Sequence, residues 1–158
     1  MGIFGKAPSV DEVGADLVAV IVASTDKTRA QTLKSLADSH DVIRQTLEPG
    51  EVPVCTAWYM GPMGGNMLLL VTNRRTLSLK KDSIKQELRH EETAETKIGQ
   101  MPNGELLVQI ESLKARLDFS QQDNRRFEWI IQFRVGTPRV AQAICGAVDQ
   151  FLPCARDR

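Results

Sequence analysis

The chain has 158 residues, 42% of them hydrophobic and 25% charged, which are ordinary values for a folded soluble domain. Twenty basic residues balance twenty acidic ones, which excludes a broad electrostatic grip on nucleic acid or anionic membrane and leaves only local patches. That length buries about two thirds of the unfolded surface, so no disulfide or metal staple is required. Cys55, Cys145 and Cys154 are odd in number and lack CxxC spacing, and we read them as reduced thiols in a cytoplasmic protein. No stretch approaches the roughly 18 apolar residues of a membrane span. The start, Met1 to Lys6, has neither the basic region nor the apolar core of a secretory leader, and Lys6 stands where myristoylation wants Ser or Thr.

In chain order, Ser9 and Glu12 form an S-x-x-E capping box. Val10, Val13, Leu17 and Ile21 follow at helical spacing, which predicts a first helix over 9–23. Ser24-Thr25-Asp26 makes a break and a second cap. Ala30, Leu33, Leu36, Ile43 and Leu47 predict a second helix over 26–47, whose other face carries Lys27, Arg29, Lys34, Asp38 and Arg44. The pair is expected to form an antiparallel helical hairpin over 1–48. Its basic residues do not cluster at the second helix's N-terminus, as a helix-turn-helix reader of DNA would require.

Pro49-Gly50 ends the helical part, and the second domain is expected over 49–153. Strands are predicted over 51–59, then on both sides of the Thr72-Asn73-Arg74-Arg75 turn. Met67 to Val71 is apolar throughout, as in a strand covered on both faces, whereas Leu77 and Leu79 alternate with polar residues. Further strands are predicted over 84–90 and 93–98, and after the Asn103-Gly104 hairpin signal. Alternation also predicts strands at Leu113-Ala115-Leu117-Phe119 and at Phe127-Trp129-Ile131-Phe133. Thr137 caps a closing helix with Pro138 in its first position, and Val140, Ile144, Val148 and Phe151 form its apolar face. The expected fold class is α+β: a seven-stranded antiparallel sandwich or barrel, a C-terminal helical cap, and the N-terminal helix pair in front.

Leu47-Glu-Pro-Gly-Glu51 before the first strand, and Leu70-Val-Thr-Asn-Arg-Arg-Thr-Leu77 across the second turn, resemble the bacterial pleckstrin-homology-like (PH-like) domain family over about 47–152. The resemblance implies a non-catalytic binding or assembly module. The eukaryotic relatives of that fold bind phosphoinositides through basic residues in the first hairpin loop. Here that loop, Met60 to Asn66, has none, so no ligand residue is carried over.

Two groups of residues are candidate sites. Tyr59, Met60, Pro62 and Met63 form an apolar loop on flexible glycines, suited to contact with a partner protein or a second copy. The same residues also suit packing against the N-terminal helices, or shallow membrane insertion. Arg74, Arg75, Lys80 and Lys81 bring basic charge together near one hairpin, which fits a groove for an anion or nucleic acid, or a solvated edge guarded against aggregation. Arg75 has the inward parity of Leu77 and Leu79 and calls for a carboxylate, with Glu51 the candidate, unless a ligand anion takes that place. No P-loop, G-x-G-x-x-G or G-x-S-x-G is present, and His40 and His90 lack neighbours at metal-ligand spacing. No cofactor is expected. The expected function is protein–protein contact, including homo-oligomer formation; a peripheral lipid-binding module and then a nucleic-acid binder are the alternatives.

Overall fold

The apolar run before Asn73 organises the molecule. The structure, a computed structural model, describes residues 9–61, 64–117 and 129–153. In it β2 (Asn66–Thr72) and β3 (Arg75–Lys80) pair antiparallel, with Leu70 opposite Leu77 and Leu68 opposite Leu79. β1 (Pro53–Met60) flanks β2 and β4 (Ser83–Arg89) flanks β3, giving a four-stranded sheet in the order β1-β2-β3-β4. A 3-10 turn at His90–Glu92 leads into a second sheet of β5 (Thr93–Gln100), β6 (Leu106–Ser112) and β7 (Ile130–Val135). Of the two expected forms, sandwich and barrel, the structure has the first: the described strands form two separate antiparallel sheets and not one closed barrel. Asn103-Gly104 lies in the β5–β6 turn, where Gly104 has φ +90°.

Both faces of the first sheet are covered. Leu68, Leu70, Leu77 and Leu79 pack on Leu36 and Ile43 of α3 (Asp26–Thr46), together with Val13 and Leu17. Cys55, Ala57, Tyr59, Leu69 and Val71 face the other way, toward Val108, Ile110, Ile131 and Phe133 of the second sheet. Val140, Ala141, Ile144 and Val148 of α5 (Pro138–Asp149) close that core. The Thr137 hydroxyl accepts the Val140 N–H at the start of α5, and Pro138 occupies its first turn, as its sequence predicts. Each fully buried Leu or Ile contributes about 1.5–3 kcal/mol by removal from water, so the central sheet is stabilised by two cores at once.

The N-terminal helical hairpin is corrected. Single helical turns, α1 (Val10–Val13) and α2 (Ala15–Val18), are separated by Gly14 at φ +92°. The chain then extends: the Thr56 N–H donates to the Val20 carbonyl (2.9 Å) and the Val22 N–H to the Thr56 carbonyl (2.8 Å), a parallel bridge on the edge of β1. The reason is local as well as tertiary. Val20-Ile21-Val22 is β-branched throughout and favours extended backbone, and the sheet edge offers unpaired donors and acceptors.

The strand expected at Leu113 to Phe119 is also corrected. Leu113–Leu117 is a short helix, α4, whose start is capped by the Ser112 hydroxyl accepting the Lys114 N–H at 3.2 Å. Leu-Lys-Ala-Arg-Leu are all strong helix formers, and local propensity with a cap outweighs alternation. Phe119 and Phe127 lie outside the described residues. Among the described residues no helix is long and apolar enough to cross a membrane.

Candidate functional site

The two sequence motifs that carry the family resemblance meet in space as one hydrogen-bonded unit. Asn73, in the β2–β3 connection, accepts the Val52 N–H on its side-chain oxygen (2.8 Å) and donates through Nδ2 to the Gly50 carbonyl (3.2 Å). Arg74 Nη2 donates to the Pro49 carbonyl at 2.8 Å. The Thr72 hydroxyl donates to Glu51 Oε2 at 2.6 Å and accepts the N–H groups of Arg74 and Arg75. A Pro-Gly-Glu entry and a Thr-Asn-Arg-Arg turn therefore hold each other in register.

Arg75 is the centre of this unit. Its Nε and Nη2 grip both oxygens of Glu51 at 2.9 Å, Nη1 donates to Glu87 at 2.9 Å, and Nη2 also donates to the Thr46 carbonyl at the end of α3. Four of its five N–H donors are thus used by the protein itself. Burial raises the Glu51 carboxyl, but hydrogen bonds from Arg75, Thr72 and the Glu48 backbone outweigh it and hold the group down at about 2. Around the pair, Arg89 Nη2 meets Glu48 at 2.7 Å and Arg74 lies 3.6 Å from the same carboxylate. Three arginines face three glutamates, leaving no surplus charge for a ligand anion. Beside them, buried His90 points Nε2 at the Thr72 carbonyl (2.7 Å), so that nitrogen carries the hydrogen, and its ring stacks on Phe151.

Lys80 and Lys81 do not join the arginines. Lys80 ends β3, five residues and roughly 17 Å from Arg75 at ~3.3 Å per residue, and Lys81 follows it in the turn. The single basic patch expected from the sequence is thus two clusters, one neutralised and one not.

The apolar loop is divided in a similar way. Tyr59 is 4% exposed, stacked on Phe133 with centroids 4.7 Å apart, and hydrogen-bonded to Ser78. It is a core residue, which corrects its placement on a contact surface. Even spacing put it on the same face as Cys55 and Ala57, and the second sheet covers that face. Met60 is 54% exposed. Pro62 and Met63 lie outside the described residues.

Met60 borders a groove of about 830 Å³ along the seam between the two sheets. One wall is the end of β1, from Trp58 to Gly61, and the other is β7 from Gln132 to Gly136. Val22, Ala23 and Ser24, where the chain leaves its bridge to Thr56, also line it, as do Met101 and Leu107. The sequence pointed to Tyr59 and Met60; the facing wall, from Gln132 to Gly136, lies more than 70 positions away and is brought to them only by the sandwich. Among the described residues no three His, Cys, Asp or Glu side chains converge as metal ligands.

The fold is an α+β sandwich of two antiparallel sheets, with helices on the outer face of one sheet and at the end of the chain. Comparison of the chain with protein-family models, curated proteins and solved structures finds no match.

Proposed function

We propose that this protein is a non-catalytic binding module on a PH-like frame, and that its seam groove takes an extended segment of a partner protein. The observation that supports this reading is the bridge between Val20, Val22 and Thr56. An extended segment already docks on the edge of β1, and the groove continues from where that segment departs. β7 pairs only with β6 among the described strands, so its other edge presents backbone donors and acceptors to a visiting strand. Half-buried Trp58, Val135 and Leu107 offer apolar seats for alternate side chains, and Met60 at the mouth adapts to different ones.

Panning a displayed peptide library against the protein tests the reading. Enriched peptides should alternate apolar residues and shift the backbone amide resonances of 132–136 and 58–61. Met60→Asp and Leu107→Lys should each weaken them about tenfold, the effect of placing a charge in an apolar contact worth roughly 1.4 kcal/mol. Failure to enrich any peptide, or binding by both variants as tight as by the wild type, would sink the proposal. Light scattering at two salt concentrations then identifies the occupant. A salt-independent multiple of the 17.6 kDa chain mass points to a second copy, and a monomer to a different protein.

A further inference from the structure

The lysines left over from the arginine cluster form a site of their own. Lys80 and Lys81, with Lys34 of α3, line a pocket of about 320 Å³ that Ser35 and Ser39 also border. Among the described residues none of these lysines has a carboxylate within ion-pair distance. Among the described residues of the lining the one acidic side chain is Asp38, so three cations face a single anion there, in a chain of zero net charge.

The pocket is built rather than incidental. The Ser39 hydroxyl, buried on α3, donates to the Lys81 carbonyl and ties the turn bearing both lysines to the helix. Lys81 stands in the left-handed region at φ 54°, a conformation that this anchor holds. On the other side the β1–β2 loop closes in at Gly65. A Cβ there would lie 2.7 Å from Lys80 Nζ, so the ammonium rests against the glycine. Helix α3 lies outside the stretch that resembles PH-like domains, and without its packing on the sheet Lys34 and both serines would be elsewhere.

We propose that this pocket binds a phosphate monoester, free or as a lipid headgroup. A monoester carries nearly two negative charges at neutral pH, matching the surplus here, and its oxygens accept from the ammonium donors. The site uses different residues from the seam groove and stands whether or not that reading holds.

Amide resonances recorded during titration with inorganic phosphate, against chloride at equal ionic strength, test it. Shifts should centre on residues 34–39, 64–66 and 80–81. Each of Lys34→Gln, Lys80→Gln and Lys81→Gln should weaken binding about fivefold, the weight of one unit charge at contact distance in water. Asp38→Asn should strengthen it by a similar factor. These side chains are exposed or half-exposed, and an unchanged amide spectrum elsewhere shows that the variants fold. Flotation with phosphatidylcholine vesicles, with and without phosphatidic acid, separates the two sources. Lysine-dependent flotation only with phosphatidic acid assigns a headgroup, and phosphate binding without flotation assigns a free monoester. Equal shifts with chloride, undiminished binding by the triple lysine variant, or binding of a DNA oligonucleotide with no response to phosphate would overturn the proposal.

Discussion

Arg75 and Glu51 are joined by two hydrogen bonds of 2.9 Å, and their side chains are 6% and 0% exposed. The pair sits where the exit of α3, the entry to β1 and the β2–β3 connection converge, so it ties three chain segments to one point. A buried pair of this kind adds little over a well-packed apolar pair, but removing one partner leaves an uncompensated charge.

Glu51→Gln should therefore destabilise the protein by about 3 kcal/mol and lower its melting temperature by roughly 10 °C. The double variant Glu51→Leu with Arg75→Met should be more stable than Arg75→Met combined with native Glu51. Chemical denaturation of the wild type, Glu51→Leu, Arg75→Met and the double variant measures the coupling, and additive effects would contradict it.

The same pair sets an acid limit. The unfolded glutamate takes up a proton near 4.5, whereas the folded carboxylate resists until about 2. The stability it carries is complete above pH 4.5 and is lost as the pH falls toward 2. Thermal melts across that window should fall more steeply for the wild type than for Glu51→Gln. Parallel curves would show that other carboxylates dominate.

Residues 9–47 and the sandwich should unfold together, because α3 covers four fully buried leucines of β2 and β3. Leu36→Ala should cost about 2–5 kcal/mol without separating the transition into two steps. Residues 49–158 expressed alone should bind a hydrophobic dye and lack a cooperative melt. A soluble, cooperatively folding fragment would refute this.

Tyr59 and Met60 are neighbours with opposite roles. Tyr59→Phe should cost about 1–2 kcal/mol, since it strands the buried Ser78 hydroxyl. Met60→Asp should stay within about 0.5 kcal/mol of wild type, because Met60 is mostly in solvent. Urea denaturation of both reads the difference directly.

Cys55 should be inert while the protein is folded. Burial pushes its thiol up to about 12, and it is 1% exposed. Alkylation followed by peptide mass mapping should modify Cys55 only in denaturant. Rapid modification in native buffer would show that β1 opens locally.

Much of the frame is legible in local sequence. The unbroken apolar run of β2 reads as doubly covered and is; Thr137-Pro138 starts a helix; Asn103-Gly104 turns a hairpin. Parity alone placed Arg75 inward and asked for a carboxylate that Glu51 supplies. The misreadings share a cause. Helical spacing over 9–23 is real, but Gly14 breaks it and a β-branched segment finds a sheet edge. Alternation over 113–117 is real, but the residues favour a helix and Ser112 caps it. Thr32, Ser35 and Ser39 look like solvated helix positions and are buried against the sheet, where the Thr32 hydroxyl accepts the Trp58 N–H and Ser39 reaches the Lys81 carbonyl.

What the sequence determines by itself is what depends on neighbours a few residues apart: periodicity, caps, turns and the demand of a buried charge for a partner. Which faces are covered, which lysines stay unpaired and where two sheet edges leave a groove were decided by tertiary structure alone. Those properties depend on residues such as Lys34 and Lys80, or Val22 and Val135, whose separation in space bears no relation to their separation along the chain.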